Sequence, residues 1–243
     1  MPDPLTWSIL IGTALVGSIV AGVAGFGAGV LLLPVVAWTL GIRHAVPVLT
    51  ITMLLGNVSR LWWSRGETDR RAALRYLIGA VPATALGTAL FAGASSESLS
   101  LVIGGFLLAS VPLRHLLNQG HWRVRLAHFP LIGAAIGLLS GLVVTTGPAA
   151  TPFFLAYGLR RGPYIATESV CAFAMHVTRG VALARYRLLS WEIVAVGLVL
   201  GATMFAGSWL GRRLLDRMSD RVFLVAIEAL VVIMGLQFLL FPR

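Results

Sequence analysis

Long apolar stretches recur along the chain, separated by short loops that carry most of the charged residues. Most stretches are close to the roughly 20 residues that an α-helix needs to cross the hydrocarbon core of a membrane. They lie at residues 5–23, 26–40, 44–63, 72–93, 99–118, 127–144, 148–159, 164–184, 191–211 and 221–241. Two of them, 26–40 and 148–159, are too short to span comfortably. The pattern predicts an all-α polytopic membrane protein.

Composition and charge sharpen this prediction. Of the 243 residues, 58% are hydrophobic and 12% are charged, which excludes an ordinary soluble domain. The net charge of +10 comes from arginines in loops, a distribution that orients membrane proteins and does not indicate a nucleic-acid-binding face. If the loops alternate sides, one side collects Arg65, Arg70, Arg71, Arg75, Arg114, Arg123, Arg125, Arg160, Arg161, Arg212, Arg213, Arg217 and Arg221. That side is predicted to be cytoplasmic, so that both termini lie on the external, periplasmic face of the cell inner membrane.

The two halves of the chain carry the same pattern of small, polar and basic residues. "GVLLLPVVAWTLG" (29–41) aligns with "GPAATPFFLAYGL" (147–159), with glycine and proline at the same spacing. Further on, "NVSR" (57–60) returns as "HVTR" (176–179), 119 positions later. Each half, 1–120 and 121–243, holds five apolar segments. Because five is an odd number, the second half is predicted to lie in the membrane inverted relative to the first, as in many secondary transporters.

Each half also contains an interrupted helix. Gly25, Gly27 and Gly29 occupy alternate positions that a stable helix would avoid, so we expect a break at the start of segment 26–40. In the second half, Pro148 suits the first position of a helix and predicts that segment 148–159 begins near the middle of the bilayer. A proline kink satisfied by neighbouring helices is the alternative for either half alone. Matching breaks in both halves favour a shared, re-entrant midplane site.

A helix that begins inside the membrane favours an anion, because its first N–H groups lack partners and its dipole is positive at that end. We expect free N–H groups just after Pro148 and hydroxyl donors just before it. The predicted substrate-binding residues of the two breaks are Gly25, Gly27, Gly29, Thr145, Thr146, Gly147, Ala149 and Ala150.

Polar residues also lie on one face of each of two long segments. Asn57 in segment 44–63 and its counterpart His176 in segment 164–184 are predicted to reach the substrate, since polar groups inside a membrane bundle are functional candidates. The residues predicted to give polar support or to relay a proton are Thr50, Arg60, Glu168, Ser169 and Arg179.

Structural interpretations of these polar residues stay open. The side chains of Arg60 and Arg179 can extend toward opposite membrane interfaces. Asn57 and His176 can form hydrogen bonds to other helices without contacting a ligand. Glu168 can pair with Arg179 or Arg161, or can relay a proton together with a histidine.

The sequence offers no enzyme chemistry. Every aspartate lies in a loop or near a terminus, and neither an HExxH nor a GxSxG pattern occurs. The single cysteine, Cys171, excludes an intramolecular disulfide and a cysteine metal cluster and is expected to pack in the core. We therefore expect no catalytic residue, no metal and no cofactor.

The motifs of the two breaks resemble a known family. "AGFGAGVLLLP" (24–34), its counterpart "TTGPAATP" (145–152) and "ATES" (166–169) are together similar to members of the TauE/SafE-like sulfite exporter family, and the resemblance covers both halves. It implies a membrane permease for sulfite or a related small sulfur-containing anion. With the inverted halves it predicts export by alternating access, and an uptake carrier or channel for thiosulfate-like or carboxylate anions is the alternative. A membrane assembly protein would need no polar midplane.

Overall fold

The computed structural model describes residues 2–24, 27–63, 66–99, 101–102, 104–105, 108–109, 124–159, 161–214 and 236. Within these ranges there are helices and no strand. The helices are α1 (Pro4–Ala24), α2 (Ala28–Leu40), α3 (Ile42–Trp63), α4 (Arg70–Gly93), α5 (Phe129–Val143), α6 (Gly147–Tyr157), α7 (Arg161–Arg185) and α8 (Trp191–Leu214), with a 3₁₀ turn at Leu126–His128.

Five helical segments of the described residues are long and apolar enough to cross a membrane. They are Pro4–Gly22, Ile42–Trp62, Arg70–Gly93, Leu126–Val143 and Trp191–Leu210. The prediction of an all-α, multi-pass membrane protein is thereby confirmed. The predicted segments 99–118 and 221–241 lie largely outside the described residues.

Two helices are short, and each begins at an interruption of the chain. α2 has 13 residues and α6 has 11, which makes them about 20 Å and 16 Å long against a hydrocarbon core of about 30 Å. α2 follows Gly27 and is capped at its end by Gly41. Their φ angles of 120° and 86° are values that glycine adopts readily and other residues avoid. α6 begins at Gly147, one residue before the predicted start, and Pro148 occupies a first-turn position where its missing N–H is harmless.

The helix α7 differs from the other long helices in its polarity. It has 25 residues, enough to cross a bilayer, but it is not among the strongly apolar segments. The reason is that Glu168, His176 and Arg179 interrupt its apolar pattern, and all three are buried inside the bundle. A helix with buried polar groups places them where other helices can contact them.

Glycines allow pairs of long helices to approach at the backbone. A Cβ added at Gly133 of α5 would lie 2.1 Å from the carbonyl oxygen of Tyr76 in α4. A Cβ at Gly207 of α8 would lie 2.8 Å from the carbonyl oxygen of Leu15 in α1. Such close packing is a main source of helix association in lipid. It fixes α4 against α5 and α1 against α8.

The helices α3 and α8 run parallel to each other. A Cβ at Gly197 would meet the side chain of Ile51, and one at Gly201 would meet Leu55. Residue numbers in contact therefore increase in the same direction along α3 and α8, and the two helices end on the same side of the bundle.

The beginning of α7 lies on that side as well. The backbone N–H of Asp69, in the connection from α3 to α4, donates a hydrogen bond of 2.9 Å to the hydroxyl of Thr167. The ends of α3 and α8 and the beginnings of α4 and α7 thus form one end of the bundle, which we call the Asp69 end. At the opposite end, Arg43 at the start of α3 donates to the carbonyl oxygen of Ala94 after α4, at 2.7 Å.

Candidate functional site

A cavity lies where the two short helices begin, between α3, α7 and α8. It contains about 680 Å³ of space not filled by atoms, including the part that is open to the surroundings. Its polar and charged lining residues are Asn57, Arg60, Tyr76, Ser140, Thr145, Thr146, Glu168, His176 and Ser208.

Asn57 and His176 each receive a hydrogen bond from the arginine three residues further along the same helix. Arg60 Nη2 donates to Asn57 Oδ1, and Arg179 Nη1 donates to His176 Nδ1 over 2.9 Å. A guanidinium group has only donors, so each partner must turn an acceptor toward it. This leaves the amide NH₂ of Asn57 and the Nε2–H of a neutral His176 ring for other partners. Both residues line the cavity, which therefore offers N–H donors of the kind an anion requires.

Arg179 is a buried cation that no carboxylate pairs with in the described part of the chain. It is 0% exposed. Its Nη2 donates to both the backbone oxygen and the hydroxyl of Ser140, the latter at 2.5 Å, while its Nε has no partner. A buried charge is costly unless it is compensated. Since Ser140 and His176 both line the cavity, this uncompensated charge lies directly behind its wall.

The other arginine, Arg60, is compensated. Its Nη1 lies 3.0 Å from Glu168 Oε2, which joins α3 to α7. The alternative in which Glu168 pairs with Arg179 is therefore wrong, because Glu168 lies near the Asp69 end, where Arg60 reaches it from the neighbouring helix. The side chain of Arg161 lies outside the described part of the chain. Extension to the interface is also wrong for Arg179, which is fully buried.

The two helix breaks meet at the cavity. A Cβ added at Gly29 would lie 2.9 Å from both Cβ and Oγ1 of Thr145, so only glycine leaves room there. Before Thr145, Val144 has φ 64° and ψ −45°, and the Thr145 N–H donates to the Val143 carbonyl oxygen at 2.7 Å. This closes a γ-turn with positive φ, a conformation that is strained for a β-branched residue. Backbone strain of this kind is concentrated at functional sites.

The hydrogen bonds at the start of α6 correct one expectation. The N–H groups of Ala149 and Ala150 both donate to the carbonyl oxygen of Thr146, at 3.1 and 3.0 Å, and are not free for a ligand. The tight first turn of the helix causes this, since one carbonyl accepts from the residues three and four positions later. Gly147 lines the cavity. Thr146 precedes the helix, and its side chain makes no capping hydrogen bond.

The structure brings most of the predicted site residues together. Those that line the cavity are Gly27, Gly29, Asn57, Arg60, Thr145, Thr146, Gly147, Ala150, Glu168 and His176. Those that are buried but do not line it are Thr50, Ala149, Ser169 and Arg179. Gly25 lies outside the described residues. Thr50 donates to the carbonyl oxygen of Val46 in its own helix at 2.8 Å, which satisfies its hydroxyl locally.

Among the lining residues with a hydroxyl or thiol group, sequence reasoning missed four: Tyr76, Ser140, Cys171 and Ser208. Tyr76 and Ser208 lie on helices whose pattern shows neither a break nor a repeated polar motif, so no sequence signal marked them. Ser140 is a single hydroxyl in an apolar helix close to the second break, which is a weak signal. Cys171 is buried as expected and also borders the cavity.

The cavity extends from the breaks toward the Asp69 end only. Arg60, Tyr76 and Glu168 lie within about two turns of helix ends on that side. Buried apolar side chains lie toward the opposite end, among them Ala45 and Leu183, and neither of these two lines the cavity. The site is thus one-sided.

Comparison with known protein families matches residues 9–238 to the family described as sulfite exporter TauE/SafE. The match includes every residue that lines the cavity. No curated protein and no solved structure matches the chain.

Proposed function

Since the chain belongs to the TauE/SafE sulfite exporter family of membrane transporters, we propose that it exports a small sulfur oxyanion by alternating access. Sulfite is the reference substrate. The cavity between the two breaks is the proposed binding site.

The observation that carries this proposal is the uncompensated charge of Arg179. Arg60 and Glu168 form a neutral pair, and Arg179 has no carboxylate partner among the described residues. The charged residues that line or back the described cavity therefore leave one net positive charge when His176 is neutral. In a membrane interior, where charges are poorly screened, such an imbalance favours binding of an anion.

The lining groups suit an oxyanion. Asn57 and His176 each have an N–H left over from their bond to arginine, and Thr145 and Thr146 add hydroxyls from the second break. A sulfur oxyanion has several oxygen atoms that accept hydrogen bonds from separate donors. Hydrogen bonds to a charged acceptor are stronger than neutral ones.

Helix packing supports two inverted halves, residues 1–120 and 121–243. In the proposed alignment α1 corresponds to α5 and α4 to α8. The contact of α1 with α8 is then equivalent to the contact of α5 with α4, and both are made through glycines. The short helices α2 and α6 become the re-entrant members of the two halves, with their breaks meeting near the midplane.

The one-sided cavity supports alternating access. The Asp69 end carries Arg70, Arg71 and Arg75 at the beginning of α4, so the positive-inside tendency makes it cytoplasmic. The cavity would then receive its anion from the cytoplasm. Exchange of conformation between the two halves would close this side and open the apolar cluster at the other end.

The membrane potential drives transport in the outward direction. Each elementary charge that crosses the membrane is worth about 2.3 kcal/mol per 100 mV, so an interior-negative potential expels a dianion with about 4.6 kcal/mol per 100 mV. An exporter of such an anion needs no coupling ion.

The test is efflux of radiolabelled sulfite from proteoliposomes with an imposed potassium diffusion potential. We expect saturable efflux that is faster when the interior is negative. Arg179→Gln should weaken it strongly, whereas Arg75→Gln, which changes an exposed arginine away from the cavity, should not. The proposal is refuted if the parent protein moves carboxylates but neither sulfite nor another sulfur oxyanion, or if folded Arg179→Gln protein transports like the parent.

A further inference from the structure

Two hydroxyl groups at the cavity are buried and have no hydrogen-bond partner in the described part of the chain. They are Tyr76 Oη on α4 and Ser208 Oγ on α8. Tyr76 is 0% exposed, Ser208 is 3% exposed, and both residues line the cavity. Buried polar groups in native proteins are nearly always satisfied, so an exception needs an explanation.

Polar groups on the neighbouring helix α7, by contrast, do have partners. The hydroxyl of Tyr164, on the neighbouring helix α7, lies 2.7 Å from the hydroxyl of Thr151 and is satisfied. The carboxylate of Glu168 also borders the cavity, but it accepts from Arg60 and takes no hydrogen bond from Tyr76.

The ring of Tyr76 is held in one place by aromatic packing. Its centroid lies 5.2 Å from that of Phe154 and 6.4 Å from that of Phe129, with the latter ring edge-on. A hydroxyl on a fixed ring is pre-organised, so little entropy is lost when it binds a ligand. The unsatisfied hydroxyl is therefore a defined donor beside the cavity.

The two residues also lie at a common level. Tyr76 is near the beginning of α4 and Ser208 is near the end of α8, and both of these helix ends belong to the Asp69 end of the bundle. His176, in the second half of α7, lies further from that end. The cavity thus has one level at the N–H donor of His176 near the breaks and a second level, with the two hydroxyls, nearer the Asp69 end.

We propose that Tyr76 and Ser208 bind the oxyanion directly through their hydroxyl groups and determine its selection over halide. The inference rests on the proposed function, because it assigns further ligand contacts in the same cavity. An anion with several oxygen atoms reaches donors at both levels simultaneously, whereas a halide ion contacts one level at a time. Binding also supplies the hydrogen-bond acceptor that each hydroxyl lacks.

The test uses Tyr76→Phe and Ser208→Ala in the purified full-length protein. Two controls are matched to them. Thr84→Val removes another buried, unpartnered hydroxyl on α4 that does not line the cavity, and Tyr164→Phe removes a satisfied one. The measurements are the melting temperature without ligand and the affinity for sulfite and for chloride by calorimetry.

We expect Tyr76→Phe to melt at or above the temperature of the parent, while Tyr164→Phe melts lower. Sulfite affinity should fall about tenfold or more in Tyr76→Phe and about fivefold in Ser208→Ala, because each loses a hydrogen bond to a charged ligand. Chloride affinity should change little, and Thr84→Val should bind sulfite like the parent.

The inference is overturned if Tyr76→Phe and Ser208→Ala keep the parent's sulfite affinity. It is also overturned if Tyr76→Phe loses as much thermal stability as Tyr164→Phe, since its hydroxyl would then have a structural partner. A parent protein that binds thiosulfate or sulfate but not sulfite removes sulfite alone as the reference substrate, and the same variants then decide the inference with the anion that binds. If none of these oxyanions binds, both proposals fail.

Discussion

The substitution Asn57→Asp tests whether the cavity is built from donors. Asparagine and aspartate have nearly the same shape, and Oδ1 of Asn57 already accepts a hydrogen bond from Arg60. A carboxylate keeps that bond and strengthens it, so α3 should stay in place. Only the atom offered to the cavity changes, from an N–H donor to a negatively charged oxygen.

The expected loss is large because two effects add. Removing a hydrogen bond to a charged ligand costs about 1.5–3 kcal/mol. Placing a negative charge about 4 Å from an anion costs about another 4 kcal/mol at an effective dielectric constant of about 20, of which the adjacent Arg60 cancels a part. A net loss of about 4 kcal/mol or more lowers the affinity by about a thousandfold, since 1.4 kcal/mol is a factor of ten.

The assay is sulfite binding by calorimetry, followed by efflux from proteoliposomes, with the melting temperature as the test of folding. Asn57→His is the matched control, because it introduces the residue found at the equivalent position, His176. The new ring can accept from Arg60 through one nitrogen and present the N–H of the other to the cavity. We expect this variant to bind sulfite far better than Asn57→Asp.

The opposite result would refute the reasoning. If Asn57→Asp protein melts like the parent and binds sulfite within about threefold of it, Asn57 does not direct a donor at the substrate. The interpretation of the two arginine-backed residues as an anion site would then have to be abandoned.

Three further predictions concern topology and the breaks. The variant Glu67→Cys should resist impermeant thiol reagents in intact cells and react with them after permeabilisation. Position 67 is chosen instead of Gly66 because the φ of 92° at Gly66 disfavours a side chain. Labelling of Glu67→Cys in intact cells would reverse the assigned orientation. Gly29→Ala places a Cβ 2.9 Å from Thr145 and should destabilise the protein by about 1–3 kcal/mol in denaturant unfolding, with impaired sulfite efflux; unchanged stability would show that the breaks do not meet. Gly147→Val should abolish sulfite binding in folded protein, because the added side chain would occupy the cavity, whereas Thr146→Val should weaken binding only about fivefold. Normal binding by Gly147→Val would show that the second break is not part of the binding site.

The sequence predicted the features that depend on local chemistry. The two breaks follow from glycine and proline positions, and α2 and α6 begin within two residues of the predicted segments. The three-residue spacing of "NVSR" and "HVTR" places each arginine one helical turn from its partner, which is why Asn57 and His176 could be singled out.

Features that depend on which helices become neighbours could not be read from the sequence. Glu168 pairs with Arg60 because α3 and α7 pack side by side, a contact that no periodicity encodes. Tyr76 reaches the cavity through the packing of α4 on α7. The N–H of Ala150 was misjudged because α6 begins one residue earlier than predicted, and the N–H of Ala149 because the first turn is tighter than a regular α-helix.

In the proposed pseudo-symmetric site, the difference between the two arginines would account for selectivity toward anions. Arg60 and Arg179 occupy equivalent places in the proposed alignment, and each donates to the side chain three residues earlier. Full symmetry would give both arginines a carboxylate or neither. A fully neutralised site would attract no anion, and two uncompensated charges would bind one too tightly for release. Glu168 compensates one arginine only, because its equivalent in the first half, Leu49, is apolar. The single remaining positive charge can hold an anion in the cavity and still allow it to leave when the membrane potential acts on it.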